Sequence, residues 1–415
     1  MVAATAMVPV DEESLVGVAP DVQERLVVYM GEVASGLGRV EQRRAAGVYA
    51  RGLIEAGARK SLEPIVARLG EDANYEALQH FLADSPWDEA VIERSVAERV
   101  CPVIEPEAWV LDDTGVVKDG KHSPGVKRQY SGTLGKTGNC QVTVSLHAVG
   151  SRGTVPLGFR LYLPEEWCSD LERRRKAKIP DGVEFATKPA LGGELAVRAA
   201  GWRIGRAPVL GDQAYGDDSK LRARLDDERL EYVLSVSPAT TVFEAGTRFE
   251  VPPAKPGAGR PPRIPKPDRE HTSVKQLAAS LPNKAWHKVT YRDRVGRPVR
   301  SRFAFQRVIA ACPVTEHRCA PREEWLIVEW PEGKDEPSDY WLSNLPASTG
   351  HERLARLARL RWMIELDYRQ LKGELGLDHY EGRSYLGFHH HCAIVIAAHG
   401  FLTLERQNPN RQRPA

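Results

Sequence analysis

Residues 140–147 read CQVTVSLH, an unbroken alternation of apolar and polar side chains. This period of two residues is typical of a β-strand with one buried face, because successive side chains of a strand point to opposite faces. Apolar runs lie on either side of it, at residues 108–111 and 155–163. The sequence therefore predicts three successive strands.

Helical and strand-like patterns alternate downstream of these strands. Helices are predicted at residues 165–177, 190–200 and 218–225, and strands at residues 208–211 and 231–237. Strands followed by alternating helices and strands are typical of a mixed α/β sheet. The predicted fold class is therefore α/β, with the first part of the core at residues 104–240.

The N-terminal residues up to 103 are predicted to form a separate helical domain. Apolar side chains recur there at helical spacing, with arginines and lysines between them. One interpretation is a DNA-binding domain and the other is a set of solvated helix faces; the pattern leaves both open. Ser85 is predicted to cap one of these helices, with Pro86 in its first turn.

The segment at residues 241–346 is predicted to be a β-rich insertion. Its residues 251–269 hold seven prolines and five basic residues, which favours an extended basic loop. Strand candidates follow at residues 300–310, 325–330 and 340–345. The helical end of the core is predicted at residues 347–405, before a basic tail at 406–415. Trp325, Trp330 and Trp341 are interpreted as packing in the insertion, with stacking on a flipped base as the alternative.

Composition places the chain among soluble proteins. The 415 residues are 42% hydrophobic and carry a net charge of +2. No apolar run has the ~20 residues of a membrane helix, and no signal peptide is evident. Six scattered cysteines favour reduced thiols in the cytoplasm.

Three acidic residues stand in settings that favour metal binding. Asp112 and Asp212 each end an apolar, strand-like run, and Glu365 lies in a helical pattern. At roughly 100° per residue, Glu365 lies about 40° and Lys372 about 20° from Arg361 on one helix face. An ordinary Arg–Glu pair on a surface is the alternative. Carboxylates of this kind can hold two divalent ions ~3.5–4 Å apart for phosphodiester chemistry.

Neighbouring acids leave the ligand set open. Asp113 competes with Asp112, although strand alternation sends the two side chains to opposite faces. Asp217 and Asp218 compete with Asp212, with helix capping as the favoured interpretation for both.

The spacing of Arg361, Glu365 and Lys372 resembles the signature of DDE transposases of bacterial insertion sequences. One large group of these has a tyrosine three residues before the arginine; here that position is Ala358, so its phosphate contact is absent or comes from another residue such as Tyr368. The stretches DDTG at residues 112–115 and LPEEW at 163–167 resemble the endonuclease domain of one such family.

The resemblance implies a ribonuclease-H-like catalytic core with a β-rich insertion. It implies a DNA transposase with Asp112, Asp212 and Glu365 as catalytic metal ligands for two Mg²⁺ ions, which Mn²⁺ can replace. Arg361 and Lys372 would hold phosphates. The expected partners are the terminal inverted repeats, the target DNA and a second copy of the chain, in the bacterial cytoplasm near the nucleoid. A nuclease without strand transfer and a DNA-binding protein without activity are the competing hypotheses.

Two further kinds of motif indicate neither a nucleotide-binding loop nor a zinc site. The loop GTLGKT at residues 132–137 is not a Walker loop, because Tyr130 stands where a glycine is needed. Lys127, Arg128 and Lys136 are instead predicted to lie near DNA phosphates. No zinc site is expected from Cys312, His317 and Cys319, which lack a fourth ligand, or from the consecutive residues 389–392.

Overall fold

A computed structural model describes residues 20–131, 135–253, 265–292, 297–311 and 321–408. Several sequence predictions fall outside these ranges. They concern the cysteines and histidine between residues 312 and 319, the loop residues 132–134, most of the proline-rich loop, and the end of the basic tail.

Fourteen α-helices lie in the described ranges, together with 3-10 turns at Gly70–Asp72, Asn283–Ala285 and Leu360–Trp362. The helices are α1 (Pro20–Val33), α2 (Val40–Ile54), α3 (Leu62–Leu69), α4 (Tyr75–Ala83), α5 (Glu89–Ile104), α6 (Glu165–Ser169), α7 (Leu171–Lys176), α8 (Lys188–Ala200), α9 (Gln213–Gly216), α10 (Ser219–Asp227), α11 (Val274–Ser280), α12 (His351–Arg359), α13 (Met363–Gly373) and α14 (Tyr385–Gln407).

Fourteen strands accompany them in the same ranges. They are β1 (Pro106–Val117), β2 (Lys127–Ser131), β3 (Lys136–Gly150), β4 (Gly153–Tyr162), β5 (Val209–Gly211), β6 (Tyr232–Val236), β7 (Thr241–Glu244), β8 (Phe249–Glu250), β9 (Lys266–Pro267), β10 (Thr272–Ser273), β11 (Trp286–Arg292), β12 (Pro298–Ala310), β13 (Glu323–Pro331) and β14 (Asp339–Ser343). The predicted mixed α/β class is confirmed.

The chain divides into two compact units. The first unit comprises residues 1–206 and 363–415, and the second comprises residues 207–362. These divisions fall at other positions than the predicted domain boundaries.

The first unit is organised around the long helix α14 and the strand β3. Ser384 caps α14 by accepting a hydrogen bond from the amide of Gly387 at 3.2 Å. Helices α2, α4 and α5 and strand β4 pack against α14, which is buried along most of its length. No helix in the described ranges has both the length and the apolar character needed to cross a membrane.

Strand β3 pairs antiparallel with three strands of the first unit. β1 pairs with residues 140–150, β4 with residues 142–150 and β2 with residues 136–140. The alternation of residues 140–147 predicts one solvated face, but these residues are all buried, because helices contact the strand as well. The prediction of a half-buried strand is therefore wrong.

The start of α5 also differs from the predicted helix start. Asp88, not Ser85, is the N-cap, and its Oδ1 accepts from the amide of Ala90 at 2.9 Å. Trp87 stacks between Phe81 and His390 just before this cap. The Ser85 hydroxyl instead accepts from the side chain of Gln42.

In the second unit, seven strands follow the order β10-β7-β12-β13-β14-β6-β5, and β11 also pairs with β12. Strands β8 and β9 pair with each other in a separate two-stranded sheet. Only β5 and β6 are parallel among these pairs. Helix α11 and the sheet enclose a buried apolar cluster that includes Val274, Val308, Leu326 and Leu342. Since β14 pairs with β6, strands from the predicted insertion continue the same sheet as β6.

Candidate active site

Asp112 lies in the middle of β1, opposite Ser145 of β3. The apolar run at residues 108–111 predicts a strand that ends at this aspartate, and that prediction is wrong. β1 continues to Val117, because residues 114–116 are buried and remain paired with β3. The Oδ1 atom of Asp112 accepts a hydrogen bond from the amide of Asp113 at 2.9 Å, which restricts the orientation of the carboxylate.

Asp113 is engaged elsewhere. Its Oδ2 atom lies 3.0 Å from the Nζ atom of Lys188 on α8. Consecutive strand residues point to opposite faces, so Asp112 and Asp113 face different surroundings. The Lys188 ion pair gives Asp113 a structural partner on the α8 side.

Helix α13 carries Glu365 and Lys372, seven residues apart and about 20° apart around the helix axis. Arg361 lies outside this helix, in the 3-10 turn Leu360–Trp362 between α12 and α13. The prediction that all three share one face of a continuous helix is wrong for Arg361, because the tighter turn changes the angular spacing. Ile364 and Leu371 are buried and anchor α13.

Two side chains of α13 tie it to the sheet near Asp112. The Nζ atom of Lys372 donates to the carbonyl oxygen of Gly115 on β1 at 2.8 Å. The hydroxyl of Tyr368 lies 2.6 Å from the Oγ atom of Ser145. Burial, followed by the negative charge of Asp112, raises the pKa of the Tyr368 phenol well above its ordinary value. Glu365 is exposed and lies one helical turn before Tyr368.

A buried polar chain continues from Ser145 into the core. The Nε2 atom of His147 lies 3.0 Å from the Ser145 Oγ, and its Nδ1 atom lies 2.9 Å from Oδ2 of Asp367. The Thr154 hydroxyl donates to Oδ1 of Asp367. Burial acts to raise the pKa of Asp367, but the hydrogen bond with His147 and the nearby His399 hold it below its ordinary value.

Sequence patterns did not identify this polar chain. Ser145 and His147 occupy the polar positions of an alternating strand, which by themselves predict contact with water. Asp367 and Tyr368 are close to Glu365 in the sequence, and this closeness is the sequence feature that indicates a role for them at the site.

Asp212 belongs to the second unit and directly follows β5, as predicted for a strand-end aspartate. Its Oδ1 atom accepts from the amide of Ala214 at 2.9 Å and caps α9. Asp218 caps α10, which confirms the capping interpretation for that residue. Asp217 instead accepts from the Ser237 amide and the Thr240 hydroxyl, both at 2.9 Å, and stabilises a turn between β6 and β7.

The predicted phosphate-binding residues of the first unit differ in their surroundings. Arg128 on β2 and Lys136 on β3 are exposed. Lys127 lies 3.0 Å from Glu166, so an acid already partly neutralises it. Ala358, at the tyrosine position of the signature, is buried in α12 of the second unit.

The tryptophans of the predicted insertion and the histidines at residues 389–391 make contacts within their own units. Trp325 and Trp341 are buried, and the Trp325 indole donates to the carbonyl of Pro346. Trp330 is half-buried beneath the guanidinium of Arg302. The three buried histidines at residues 389–391 bind carbonyl or hydroxyl oxygens within the first unit, which agrees with the interpretation that they are not zinc ligands.

Within the described ranges, no three His, Cys, Asp or Glu side chains form a group able to hold a metal ion.

The sequence model of the family described as DDE superfamily endonuclease matches residues 32–298, more than half of the chain. The chain belongs to this family. The match includes Asp112 and Asp212 and ends before Glu365. Endonucleases of this superfamily use divalent metal ions.

A curated relative resembles part of the chain. It is described as a probable transposase for insertion sequence element IS701, from Microchaete diplosiphon. The two proteins are 32% identical over 188 residues, which cover 45% of this chain and 46% of the relative. The chain thus spans about half the length of this relative.

Proposed function

We propose that this protein is a DNA transposase that cleaves the ends of a mobile element and joins them to target DNA. The observation that carries the proposal is the contact between Tyr368 and Ser145, which brings the helix of Glu365 beside the strand of Asp112. Membership of the DDE endonuclease superfamily and the similarity to a probable transposase support it.

The proposed catalytic core is ribonuclease-H-like, with Asp112, Asp212 and Glu365 as the metal ligands. The donor chemistry of Asp112 and Glu365 fits Mg²⁺, because this ion is commonly held by one or two carboxylates, waters and substrate phosphates. Two such ions, replaceable by Mn²⁺, would activate the attacking oxygen and stabilise the negative charge that develops on the phosphate.

The residues of the chain itself supply position and charge. The Asp113 amide restricts the Asp112 carboxylate, and Lys372 ties α13 to β1. We propose that Arg128 and Lys136 bind backbone phosphates, with a smaller contribution from Lys127 because of its pair with Glu166. Arg361 and Lys372 are proposed to hold phosphates near the cleaved bond, and two or more copies to act on paired ends.

A cleavage and joining assay tests this function. The substrate is a duplex with the DNA sequence that flanks the coding region, incubated with purified protein, target plasmid and Mg²⁺. We expect strand cleavage at the element end and joined products. Cleavage without joining would support a nuclease in place of a transposase, and binding without cleavage would support an inactive DNA-binding protein.

Matched variants assign the ligands in the same assay. Asp112→Asn, Asp212→Asn and Glu365→Gln should each reduce cleavage by at least 10³-fold while duplex binding remains, because each removes a carboxylate charge that stabilises the metal ions. Asp218→Asn is the control, since Asp218 caps a helix and has no proposed ligand role. Cleavage retained in any of the three variants would remove that residue from the ligand set.

A further inference from the structure

A series of hydrogen-bonded polar side chains connects α13, the helix that carries Glu365, to β3, the strand that pairs with Asp112. It runs from Tyr368 through Ser145 and His147 to Asp367. Tyr368 and Asp367 belong to α13, and Ser145 and His147 belong to β3. This series of hydrogen bonds therefore begins on α13, passes through two side chains of β3 and ends on α13.

The hydrogen-bond directions of this chain are mutually consistent. An ionised Asp367 only accepts hydrogen bonds, so Nδ1 of His147 must donate to it. In the neutral imidazole, Nε2 then accepts from the Ser145 hydroxyl, and the Ser145 oxygen accepts from the Tyr368 hydroxyl. Each donor thus has an acceptor, and the sequence of bonds fixes the rotation of the serine and tyrosine hydroxyls.

Apolar side chains could fill this position at lower cost. Ser145 and His147 are fully buried and Asp367 is nearly so. Burying polar groups requires that each finds a partner, and a satisfied polar network specifies geometry more strictly than apolar packing does. Such a network is most useful where ligand groups must be held within a fraction of an ångström.

We propose that Tyr368, Ser145, His147 and Asp367 form a positioning network that holds the helix of Glu365 in register with Asp112 for divalent ion binding. This inference rests on the proposed function. The four residues are positioning residues: they act through the placement of α13 and β3.

Tyr368→Phe tests the network with the smallest change, because it removes one hydroxyl and keeps the ring. The control is Tyr29→Phe in the same unit, since the Tyr29 hydroxyl is buried and has no hydrogen-bond partner among the residues that the structure describes. Ser145→Ala is the second variant and breaks the chain from the strand side. Thermal unfolding identifies any variant that fails to fold.

The direct readout is Mn²⁺ binding to the protein without DNA, followed by electron paramagnetic resonance. We expect Tyr368→Phe and Ser145→Ala to weaken Mn²⁺ binding by about 10-fold or more, as outer-shell substitutions typically do, and Tyr29→Phe to leave it unchanged. In the cleavage assay, added Mg²⁺ should restore activity to Tyr368→Phe and not to Glu365→Gln.

Two outcomes separate this inference from the proposed function. If the wild-type protein binds Mn²⁺ and cleaves, but folded Tyr368→Phe and Ser145→Ala bind Mn²⁺ as Tyr29→Phe does, the positioning network is refuted and the proposed function stands. If the wild-type protein neither binds Mn²⁺ nor cleaves, both proposals are refuted.

Discussion

The hydroxyl of Tyr368 lies 2.6 Å from the Oγ of Ser145, a contact between residues 223 positions apart in the chain. Ser145 is also the cross-strand partner of Asp112. A single hydrogen bond therefore connects the helix of one proposed metal ligand to the strand that pairs with another. The Nζ atom of Lys372 on the same helix also donates to the carbonyl oxygen of Gly115 on β1, the strand of Asp112.

The two adjacent aspartates of β1 should differ sharply in function. Asp113→Asn weakens the ion pair with Lys188, and each of these two side chains is about one-third exposed or less. We therefore expect a stability loss of about 1 kcal/mol or less, and nearly normal cleavage. Asp112→Asn should lose cleavage with little change in stability. Urea unfolding and the cleavage assay measure the two effects. Loss of cleavage in Asp113→Asn with normal activity in Asp112→Asn would reverse the assignment.

Lys372 is expected to contribute to both stability and DNA binding. Lys372→Met keeps the aliphatic stem but removes the hydrogen bond to Gly115, at a cost of about 1.5–3 kcal/mol for a bond from a charged group. If Lys372 also contacts a phosphate, the slope of log affinity against log salt should fall in magnitude by about 0.9. Urea unfolding and duplex binding at several salt concentrations provide these values. A stability loss with an unchanged slope would leave Lys372 with the structural role alone.

Local patterns predicted those features that depend on neighbouring residues. Asp212 follows a short buried strand, as the apolar run before it predicts. The strands at β3, β4 and β6 and the helices of the N-terminal region also follow from periodicity. The favoured interpretation of Asp218 as a helix cap is confirmed for the same reason, since capping involves residues only three positions apart.

Features that depend on distant contacts could not be predicted in this way. Ser145 and His147 look solvent-exposed in a two-residue pattern, because nothing in β3 indicates that α13 covers them. Arg361 fits the face of an ideal helix, but the 3-10 turn at Leu360–Trp362 interrupts the helix before Glu365. Asp112 follows four apolar residues, yet pairing with β3 extends the strand five residues beyond it, to Val117.

The exposed cations of the β2–β3 hairpin should act through sequence-independent phosphate contacts. Arg128→Gln and Lys136→Gln should each weaken duplex binding and reduce the salt slope by about 0.9 if each residue neutralises one phosphate. Lys127→Gln should have a smaller effect, because Lys127 pairs with Glu166. Fluorescence anisotropy at increasing salt measures the slopes, with Lys176→Gln on α7 as the control. Equal slopes in all four variants would exclude the hairpin from the DNA interface.

Stability should fall as the pH decreases from about 6.5 to about 4, because buried histidines of α14 resist protonation. His391 bonds to the Tyr49 hydroxyl and the Gly376 carbonyl, and burial lowers its pKa from 6.5 to about 4. The unfolded chain therefore binds a proton in this range that the folded protein does not. The contribution of His391 to the free energy of unfolding is fully present above pH 6.5 and is lost as the pH falls. At 1.36 kcal/mol per pKa unit, His391 contributes up to about 3 kcal/mol of this loss. Urea unfolding across the range should show a shallower decline for His391→Gln than for the wild type; an equal decline would show that His391 is not responsible.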